Sequence, residues 1–247
     1  MLTLLKKIYC KIKMKLSDDI EVTAYDFNTS NPLGDNGERV DIQLNGKINF
    51  DNLDKYQKNH WKRYEFAKEI ISINDICGDF ACGTGYGSIL IADKASAVVG
   101  ADLNAKVIET IKERYNTYTN VNFLNENLLN LSYTNYFDNI ISFETLEHFK
   151  EADLKKLLLI FYKAIKEKGK LIFSTPYMQE ESEAAINAGF HFTFYINEEK
   201  IFNWLQEVGF SIESIQYQNY DTHHISGSLQ KKEFIVCVAG KNIIQAC

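Results

Sequence analysis

Apolar residues along the chain form two kinds of pattern, one with helical spacing and one of short continuous runs. Residues 55–73 carry apolar side chains at helical spacing, which predicts an amphipathic helix. From residue 75 onward, short apolar runs alternate with helical segments, which predicts parallel strands joined by right-handed crossovers. The predicted strands are 75–80, 97–102, 121–124, 137–143 and 170–175, and the predicted helices between them are 86–94, 105–118 and about 150–166.

The pattern changes near the C-terminus. A predicted helix at residues 198–208 ends at Gly209, a residue type that favours helix ends. Two apolar runs at 211–217 and 233–239 follow with no helix between them, which predicts an antiparallel pair at the edge of the sheet. We therefore predict an α/β fold: a Rossmann-like doubly wound sheet, mostly parallel and with an antiparallel C-terminal edge strand, in a single domain over residues 1–247.

The composition is that of an ordinary globular domain. Of the 247 residues, 45% are hydrophobic, and no run approaches the roughly 18 consecutive apolar residues that a membrane-spanning helix needs. The net charge of −6 argues against nucleic acid as the main partner, because nucleic-acid binding usually leaves a basic surface. Five cysteines without a C-x-x-C pair argue against a disulfide framework or a zinc site and favour a reducing cytoplasm. We expect a small-molecule partner and a monomer or homodimer.

The first sixteen residues differ in charge from the rest of the chain. They contain five lysines and no acid, with apolar residues between the lysines at helical spacing. Such a segment is a frayed terminus, a helix that covers the core, or a basic amphipathic helix that adheres weakly to an anionic membrane surface. The lysines interrupt every apolar run, so the segment is not a signal peptide.

The strongest chemical signal is the stretch D-F-A-C-G-T-G-Y-G from Asp79 to Gly87, between a predicted strand and a predicted helix. Glycines let the backbone turn tightly and approach a ligand closely, with a helix N-terminus behind it. A dinucleotide fingerprint would need a third glycine where Ser88 stands. The acid at position 79 would also repel a pyrophosphate, whereas it suits a cationic ligand or an amino group. We therefore do not expect a dinucleotide at this turn.

These residues resemble the motifs of class I S-adenosylmethionine-dependent methyltransferases, over roughly residues 60–215. The stretch from Asp79 matches the glycine-rich motif, and Asp102 matches the acid after the second strand, whose carboxylate accepts both ribose hydroxyls. Asn127 and Leu128 stand where the family often has an acidic residue and an apolar one beside the adenine; the Asn127 amide oxygen can still accept from an exocyclic amine. Further matches are F-E-T-L-E-H at 143–148 and G-K-L-I-F-S-T-P-Y at 169–177.

The resemblance implies S-adenosylmethionine as the cofactor. Residues 60–67 also resemble the helix before the core in small bacterial methyltransferases, many of them encoded with surface-polysaccharide genes. In that type, a side chain of this helix closes over the methionine end of the cofactor, and Arg63 is suited to grip its carboxylate. The alternative is that Arg63 is an exposed surface charge. The residues expected at the cofactor are Arg63, Asp79, Ala81, Gly83, Gly85, Asp102, Leu103, Asn127, Leu128 and Phe143.

Methyl transfer is a displacement at a sulfonium, so the protein mainly positions the acceptor and excludes water. An oxygen acceptor also benefits from a base with a pKa near neutrality, for which histidine is the usual choice. His148 and His191 fall where the acceptor should lie, with Glu144 as a third catalytic candidate. His223 and His224 are outer candidates.

A divalent metal is a further hypothesis for the same stretch. Glu144, Glu147 and His148 have the spacing i, i+3, i+4, which would place them on one face of a helix. Together with His191, they could bind an ion that orients and polarises an acceptor hydroxyl. Some ubiquinone-pathway and small-RNA 2′-O-methyltransferases resemble this with a metal-binding Glu-x-x-Glu-His, whereas many other class I enzymes carry a similar run without metal.

The acceptor is the part of the function that the sequence specifies least. Residues 1–55 are expected to form an N-terminal extension or lid on a core of residues 56–247, which carries a substrate-covering insertion at about 177–200. The family resemblance favours a hydroxyl of a sugar, a nucleotide-linked sugar or a capsule-modifying group. An N-methyltransferase for an amine or amide is the alternative within the class. A nucleotide-dependent oxidoreductase and a non-catalytic adenosylmethionine-binding subunit are alternatives from other classes.

Overall fold

The computed structural model describes residues 39–44, 50–183 and 191–241. The basic N-terminal segment and most of the predicted extension lie outside these residues, so the predictions about them are not tested. The described helices are α1 (Lys55–Ile70), α2 (Tyr86–Ala92), α3 (Ala105–Arg114), α4 (Glu151–Ala164) and α5 (Glu198–Val208), with short 3-10 turns at Phe50–Asn52, Leu128–Asn130 and Leu146–His148. None of the described helices is long and apolar enough to cross a membrane.

The strands form one eight-stranded sheet. They are β1 (Ile76–Phe80), β2 (Ala97–Asp102), β3 (Val121–Asn125), β4 (Phe137–Phe143), β5 (Ile165–Pro176), β6 (Phe210–Gln218), β7 (Ile225–Ser226) and β8 (Phe234–Lys241). Their spatial order is β3-β2-β1-β4-β5-β8-β6-β7, and the first five pair in parallel. The predicted parallel sheet is therefore confirmed, because each helix between two of these strands returns the chain to the same end of the sheet.

The antiparallel part of the sheet is also confirmed, and the structure adds its arrangement. The strands β6 and β8 pair in antiparallel register, as predicted. The last strand, β8, does not lie at the outer edge, because it pairs with β5 on its other side. The two-residue strand β7 closes the edge beside β6. The position of a strand between two others leaves no pattern in its hydrophobic residues. The sequence could therefore predict that β6 and β8 pair, but not that β8 lies between β5 and β6.

Local sequence explains where two helices begin and end. Asp54 caps α1 by accepting from the backbone N–H of Gln57, whose side chain accepts in turn from the backbone of Asp54, a capping box. The helix α5 begins after Asn197, whose side chain accepts from Lys200 N. It ends at Gly209, where a φ of 101° suits glycine.

Close packing of α1 against α2 depends on the last glycine of the turn motif. A Cβ atom built at Gly87 would lie 2.0 Å from Cζ of Tyr64, which is nearer than two carbon atoms can approach. Glycine therefore lets the Tyr64 ring lie directly on α2. The aromatic rings of Tyr86 and Phe143 contact the same ring edge-to-face, with centroid distances of 5.5 and 5.0 Å.

Residues 39–44, which we call the strap, cross over the glycine turn. The side chain of Ile42 is 1% exposed and packs in the apolar cluster that contains Ala67 and Leu90. The Val40 carbonyl accepts from the hydroxyl of Thr84 at 3.0 Å. Asp41 pairs with Arg114 of α3 at 2.7 Å. The strap is thus attached to three different parts of the domain.

Candidate functional site

A cavity of about 730 Å³ opens at the carboxyl ends of β1, β2 and β4, covered by α1 and the strap. This is where an open α/β sheet places its ligand crevice, because the strand order reverses beside β1: β2 and β3 lie on one side of it, and β4 and β5 on the other. Seven of the ten predicted cofactor residues line it. They are Ala81, Gly83, Asp102, Leu103, Asn127, Leu128 and Phe143.

Asp102 is the best-defined polar group of the cavity. It ends β2, and its Oδ2 accepts from the backbone N–H of Gly83 at 3.0 Å. Its Oδ1 accepts from the backbone N–H of Asn104 at 2.9 Å. These bonds hold the carboxylate against the glycine turn. The turn itself needs backbone in the left-handed region, with φ of 62° at Ala81, 52° at Gly83 and 76° at Gly85.

Asp79 lies beneath the cavity rather than in its wall. It is 1% exposed and accepts hydrogen bonds from Ser88 Oγ at 2.6 Å and Tyr64 OH at 3.1 Å. Burial raises the pKa of the Asp79 carboxyl to about 6, although both hydrogen bonds oppose that shift. The prediction that this acid faces a cationic ligand is therefore corrected: the described cavity lining includes Tyr64 but not Asp79.

Apolar side chains and Asn127 also line the cavity. Leu103, Leu128 and Phe143 offer apolar surface, as an aromatic ligand would need. Asn127 lines the cavity too, but its side-chain oxygen already accepts from the backbone N–H of Leu129 at 2.9 Å. This bond caps the 3-10 turn, which adds a structural role to the predicted contact with the adenine amine.

Arg63 does not occupy the predicted position. It is neither an exposed charge nor part of the described cavity lining, since its side chain is 1% exposed. Its Nε donates to Oε1 of Gln218 at 2.7 Å, and its NH1 lies 3.3 Å from Oε1 of Glu144. The expected grip on a cofactor carboxylate is therefore corrected, because the guanidinium is buried behind Glu144. One helical turn earlier, His60 does line the cavity.

The stretch after β4 is not the α-helix that the metal hypothesis assumed. Glu144 has a φ of 48°, and only Leu146–His148 forms a single 3-10 turn. Glu144 and Glu147 therefore do not share a helix face with His148. Glu144 lines the cavity and accepts from Ser174 Oγ at 2.7 Å.

Three candidate ligand residues cluster at the wall of the cavity. Glu147, His148 and His191 each offer one ligand atom, and these atoms lie within 4.8 Å of one another; Glu144 is not in this group. His148 lines the cavity, whereas His191 stands behind it, with 5.0 Å between the two ring centroids. The Nδ1 of His191 lies 2.8 Å from Oε1 of Gln179. The insertion after β5 thus brings a second imidazole to the first, as the sequence predicted.

Burial controls the charge of this cluster. The Glu147 carboxyl accepts from Thr175 Oγ1 at 3.0 Å, and burial, with the nearby Glu144, raises its pKa well above the usual range. Burial and the neighbouring His148 lower the pKa of His191 to about 4. His191 is therefore neutral at pH 7, and a neutral imidazole can bind a metal ion.

Sequence reasoning missed several residues of the cavity. His60 and Tyr64 reach it from α1, and Arg39 and Val40 reach it from the strap. Burial, followed by the positive charge of Arg63, lowers the pKa of His60 well below its usual value. A helical pattern identified α1, but only the packing of α1 over the sheet shows which side chains face the ligand. The remaining polar additions to the wall are Thr84, Asn104, Glu126, Thr145, Lys150 and Asp153.

Two histidines considered in the sequence lie elsewhere. His223 and His224 belong to the loop between β6 and β7, outside the described cavity lining. The His223 ring contacts Phe50 edge-on at 6.4 Å, and its carbonyl accepts from Gln218. The structure gives His223 a packing role.

Comparison with known proteins finds sequence similarity to methyltransferases. Residues 78–169 match the family model described as a methyltransferase domain. The chain is similar to the demethylmenaquinone methyltransferase of Lactobacillus johnsonii, with 24% identity over 196 residues, 76% of each chain. It is also similar to an uncharacterized RNA methyltransferase of Mycoplasma mobile, with 34% identity over 82 residues, but this match spans 32% of the chain and only 23% of that protein.

Solved structures show the same fold. One is the N-methyltransferase NodS of Bradyrhizobium japonicum in complex with S-adenosylhomocysteine, which covers 78% of this chain and 90% of its own, with a TM-score of 0.60 and 14% identity. At that identity the likeness concerns the fold alone.

Proposed function

We propose that this chain is a class I S-adenosylmethionine-dependent methyltransferase that transfers the methyl group to an oxygen of a small polar acceptor. The observation that carries the proposal is His148, an imidazole in the cavity wall that forms a cluster with Glu147 and His191. A hydroxyl is a poor nucleophile while it keeps its proton, so a histidine beside it is the group that the reaction needs.

The part of the cavity around Asp102 suits the cofactor. Asp102 offers a fixed carboxylate to the ribose hydroxyls, and Leu103 and Leu128 offer apolar surface to the adenine. The cofactor supplies a methyl group on a positively charged sulfur, with a thioether as the leaving group. The protein's own contribution is to hold the acceptor oxygen in line with that methyl group, to exclude water and to receive the proton. We assign the last task to His148.

The size and charge of the cavity support a small polar acceptor. A volume of about 730 Å³ lies within the range of roughly 300–1,000 Å³ that is usual for small-molecule sites. Glu144, Lys150 and Asp153 bring charge to the same wall, as a substrate with several hydroxyl groups would require. A sugar or nucleotide-linked sugar, such as a precursor of a surface polysaccharide, meets these conditions in a cytoplasmic reaction. The net charge of −6 disfavours RNA.

Two other acceptors follow from the named relatives. The Lactobacillus relative is named for demethylmenaquinone, and NodS is named as an N-methyltransferase. A quinone would need an apolar outer cavity, and an amine would not need a base with the position of His148. We therefore rank both below a sugar hydroxyl.

A screen with methyl-labelled cofactor tests the proposal. The purified chain is mixed with nucleotide-sugars and, separately, with the small-molecule fraction of a cell extract, and products are identified by mass spectrometry. We expect a methyl ether, and we expect Asp102→Ala to abolish its formation. Asp93→Ala, an exposed acid outside the described cavity, is the control. A methylated amine or quinone as the only product would contradict the proposal.

Binding measurements separate the alternatives from other classes. Calorimetric titration with S-adenosylhomocysteine should give heat of binding, and titration with NAD should give none. Binding of the homocysteine analogue without methyl transfer to any acceptor would instead favour a non-catalytic subunit. Binding of NAD alone would contradict both interpretations.

A second proposal is that the site binds a divalent metal ion, without Glu144 as a ligand. Glu147, His148 and His191 would hold it, and it would polarise the acceptor hydroxyl. The neutral His191 suits an ion, whereas Glu147 would first have to release the proton that its raised pKa favours. Chelation with EDTA, followed by addition of Mg²⁺ or Mn²⁺, tests this proposal. Full activity after chelation, with no Mn²⁺ bound in a titration, would exclude a catalytic ion.

A further inference from the structure

Arg63 is a buried cation whose surroundings fix its direction. Its NH1 lies 3.3 Å from Oε1 of Glu144, and its guanidinium lies 4.2 Å from the centre of the Phe234 ring. Its Nε donates to Oε1 of Gln218. A guanidinium removed from water is strongly destabilising without a charged partner. Among the described ion pairs, Arg63 has Glu144 alone as its charged partner.

Gln218 holds Arg63 from the far side. This residue at the end of β6 is 0% exposed. Its amide nitrogen donates to the carbonyl of Asn59 at 3.0 Å and to that of His223 at 3.3 Å. Because both of its amide hydrogens are used, its oxygen is left to accept from Arg63, and the amide cannot flip without losing these bonds. The guanidinium is therefore directed away from Gln218 and toward the end of β4.

Glu144 receives this support in an unusual backbone conformation. Its φ of 48° lies in the left-handed region, which a residue with a long side chain seldom adopts without compensation from its surroundings. Its backbone N–H donates to the Ser174 carbonyl at 3.0 Å, and Ser174 Oγ donates to its Oε1. The contacts from Arg63 and Ser174 thus share one oxygen, Oε1. The other oxygen of a carboxylate in the cavity wall is left for a ligand.

We propose that Arg63 is a positioning residue that holds the Glu144 carboxylate in the cavity, where its Oε2 accepts a hydrogen bond from the acceptor and not from the cofactor. This inference rests on the proposed function, because it assigns Glu144 to the acceptor. It replaces a direct role of Arg63 at the cofactor. The acceptor class that it requires carries a hydrogen-bond donor, a hydroxyl or an amine, next to the group that is methylated.

The first experiment observes the Nε–H group of Arg63 by nuclear magnetic resonance. Spectra of ¹⁵N-arginine-labelled protein give the Nε–H signal of Arg63, assigned by its loss in Arg63→Lys. We expect this signal to move in Glu144→Gln and to stay in place on saturation with S-adenosylhomocysteine. The proposal would be overturned if the Arg63 Nε–H signal moved on binding of S-adenosylhomocysteine but stayed in place in Glu144→Gln.

The second experiment separates cofactor binding from methyl transfer. We expect Arg63→Lys and Ser174→Ala to change the dissociation constant of S-adenosylhomocysteine by no more than about threefold, while Asp102→Ala weakens it by about tenfold or more. Ser174→Ala removes one support of Glu144 at the cost of a single hydroxyl, so it remains informative if Arg63→Lys does not fold. A tenfold loss of cofactor affinity in Arg63→Lys and none in Glu144→Gln would assign Arg63 to the cofactor.

The third measurement concerns the acceptor. With methyl-labelled cofactor and the small-molecule fraction of a cell extract, we expect Glu144→Gln and Arg63→Met to lower methyl incorporation by about tenfold, with partial rescue in Arg63→Lys. At saturating concentrations of extract the loss of methyl incorporation should become smaller, because these substitutions weaken binding of the acceptor. Unchanged incorporation in Arg63→Met would contradict the inference. No incorporation by the unaltered chain would refute the proposed function, while the arginine signal and the cofactor titration would still decide the role of Arg63.

Discussion

Two acids that end neighbouring strands have different roles because they differ in burial. Asp102 lies in the cavity wall and holds the glycine turn, whereas Asp79 is buried beneath the cavity with two hydroxyl donors. The sequence motifs predict that both acids are near the cofactor. They could not predict the burial of the acids, because burial depends on how Tyr64 of α1 covers the glycine-rich motif.

Replacing Asp79 by Asn should stabilise the protein above pH 6. The buried carboxyl has its pKa raised from 3.8 to about 6, so the folded state holds a proton that the unfolded state has released. Between these two values stability falls as the pH rises, and above pH 6 the loss reaches about 3 kcal/mol. Asn carries no charge and can bond both Ser88 and Tyr64. Urea unfolding at pH 8 should therefore show a gain of up to about 3 kcal/mol, which shrinks on acidification and vanishes below about pH 3.8.

Asp93→Asn is the matched control for that substitution. Asp93 is an exposed acid whose side chain is 59% accessible and pairs with Lys68. The Asp93→Asn substitution should change the free energy of unfolding little at pH 8 or at pH 4. An equal gain from Asp79→Asn at pH 8 and pH 4 would show that the buried carboxyl is not the titrating group.

At the scale of elements, the strap connects the wall of the cavity to the apolar core. It touches the cavity through Arg39 and Val40, and Ile42 anchors it in the core. Alternating strands and helices were predictable because they repeat with fixed periods. The strap has no period, and a sequence rich in turn residues indicates only irregular cover. Its position follows from single contacts, such as those of Asp41 with Gln57 and Arg114.

Removing the ion pair between the strap and α3 should speed release of the cofactor product. In Arg114→Ala, Asp41 loses a partner at 2.7 Å whose side chain is 24% exposed. We expect the dissociation rate of S-adenosylhomocysteine, measured by stopped flow, to rise about threefold. Asp41→Asn should act in the same direction, because it weakens the same contact from the strap side.

The matched control is an ion pair of similar length between two helices. Lys155 of α4 pairs with Glu207 of α5 at 2.9 Å, and both side chains are more than half exposed. Lys155→Ala should leave the dissociation rate unchanged. If Arg114→Ala and Lys155→Ala behave alike, the strap does not limit release.

For the whole molecule, the position of β8 makes the last strand part of the core. It pairs with β5 over seven residue positions and with β6 on its other side, and Ile235, Cys237 and Ala239 are completely buried. A chain that stops at Lys232 would leave β5 and β6 each without a partner on the side that β8 occupies. We expect it to lose the cooperative thermal transition, measured by circular dichroism. A chain that stops at Lys241 keeps the strand and should retain the transition; equal loss in both would show that the effect comes from the residues after the strand.

The order of synthesis is a further consequence of this position. The residues that line the cavity all precede position 193, so the ribosome delivers the complete set of site residues before β6, β7 or β8 exists. At that stage β5 has no partner on its outer side, and the Gln218 that directs Arg63 has not been made. The site can therefore be completed only after Gln218 of β6 has been synthesised and β8 has paired with β5.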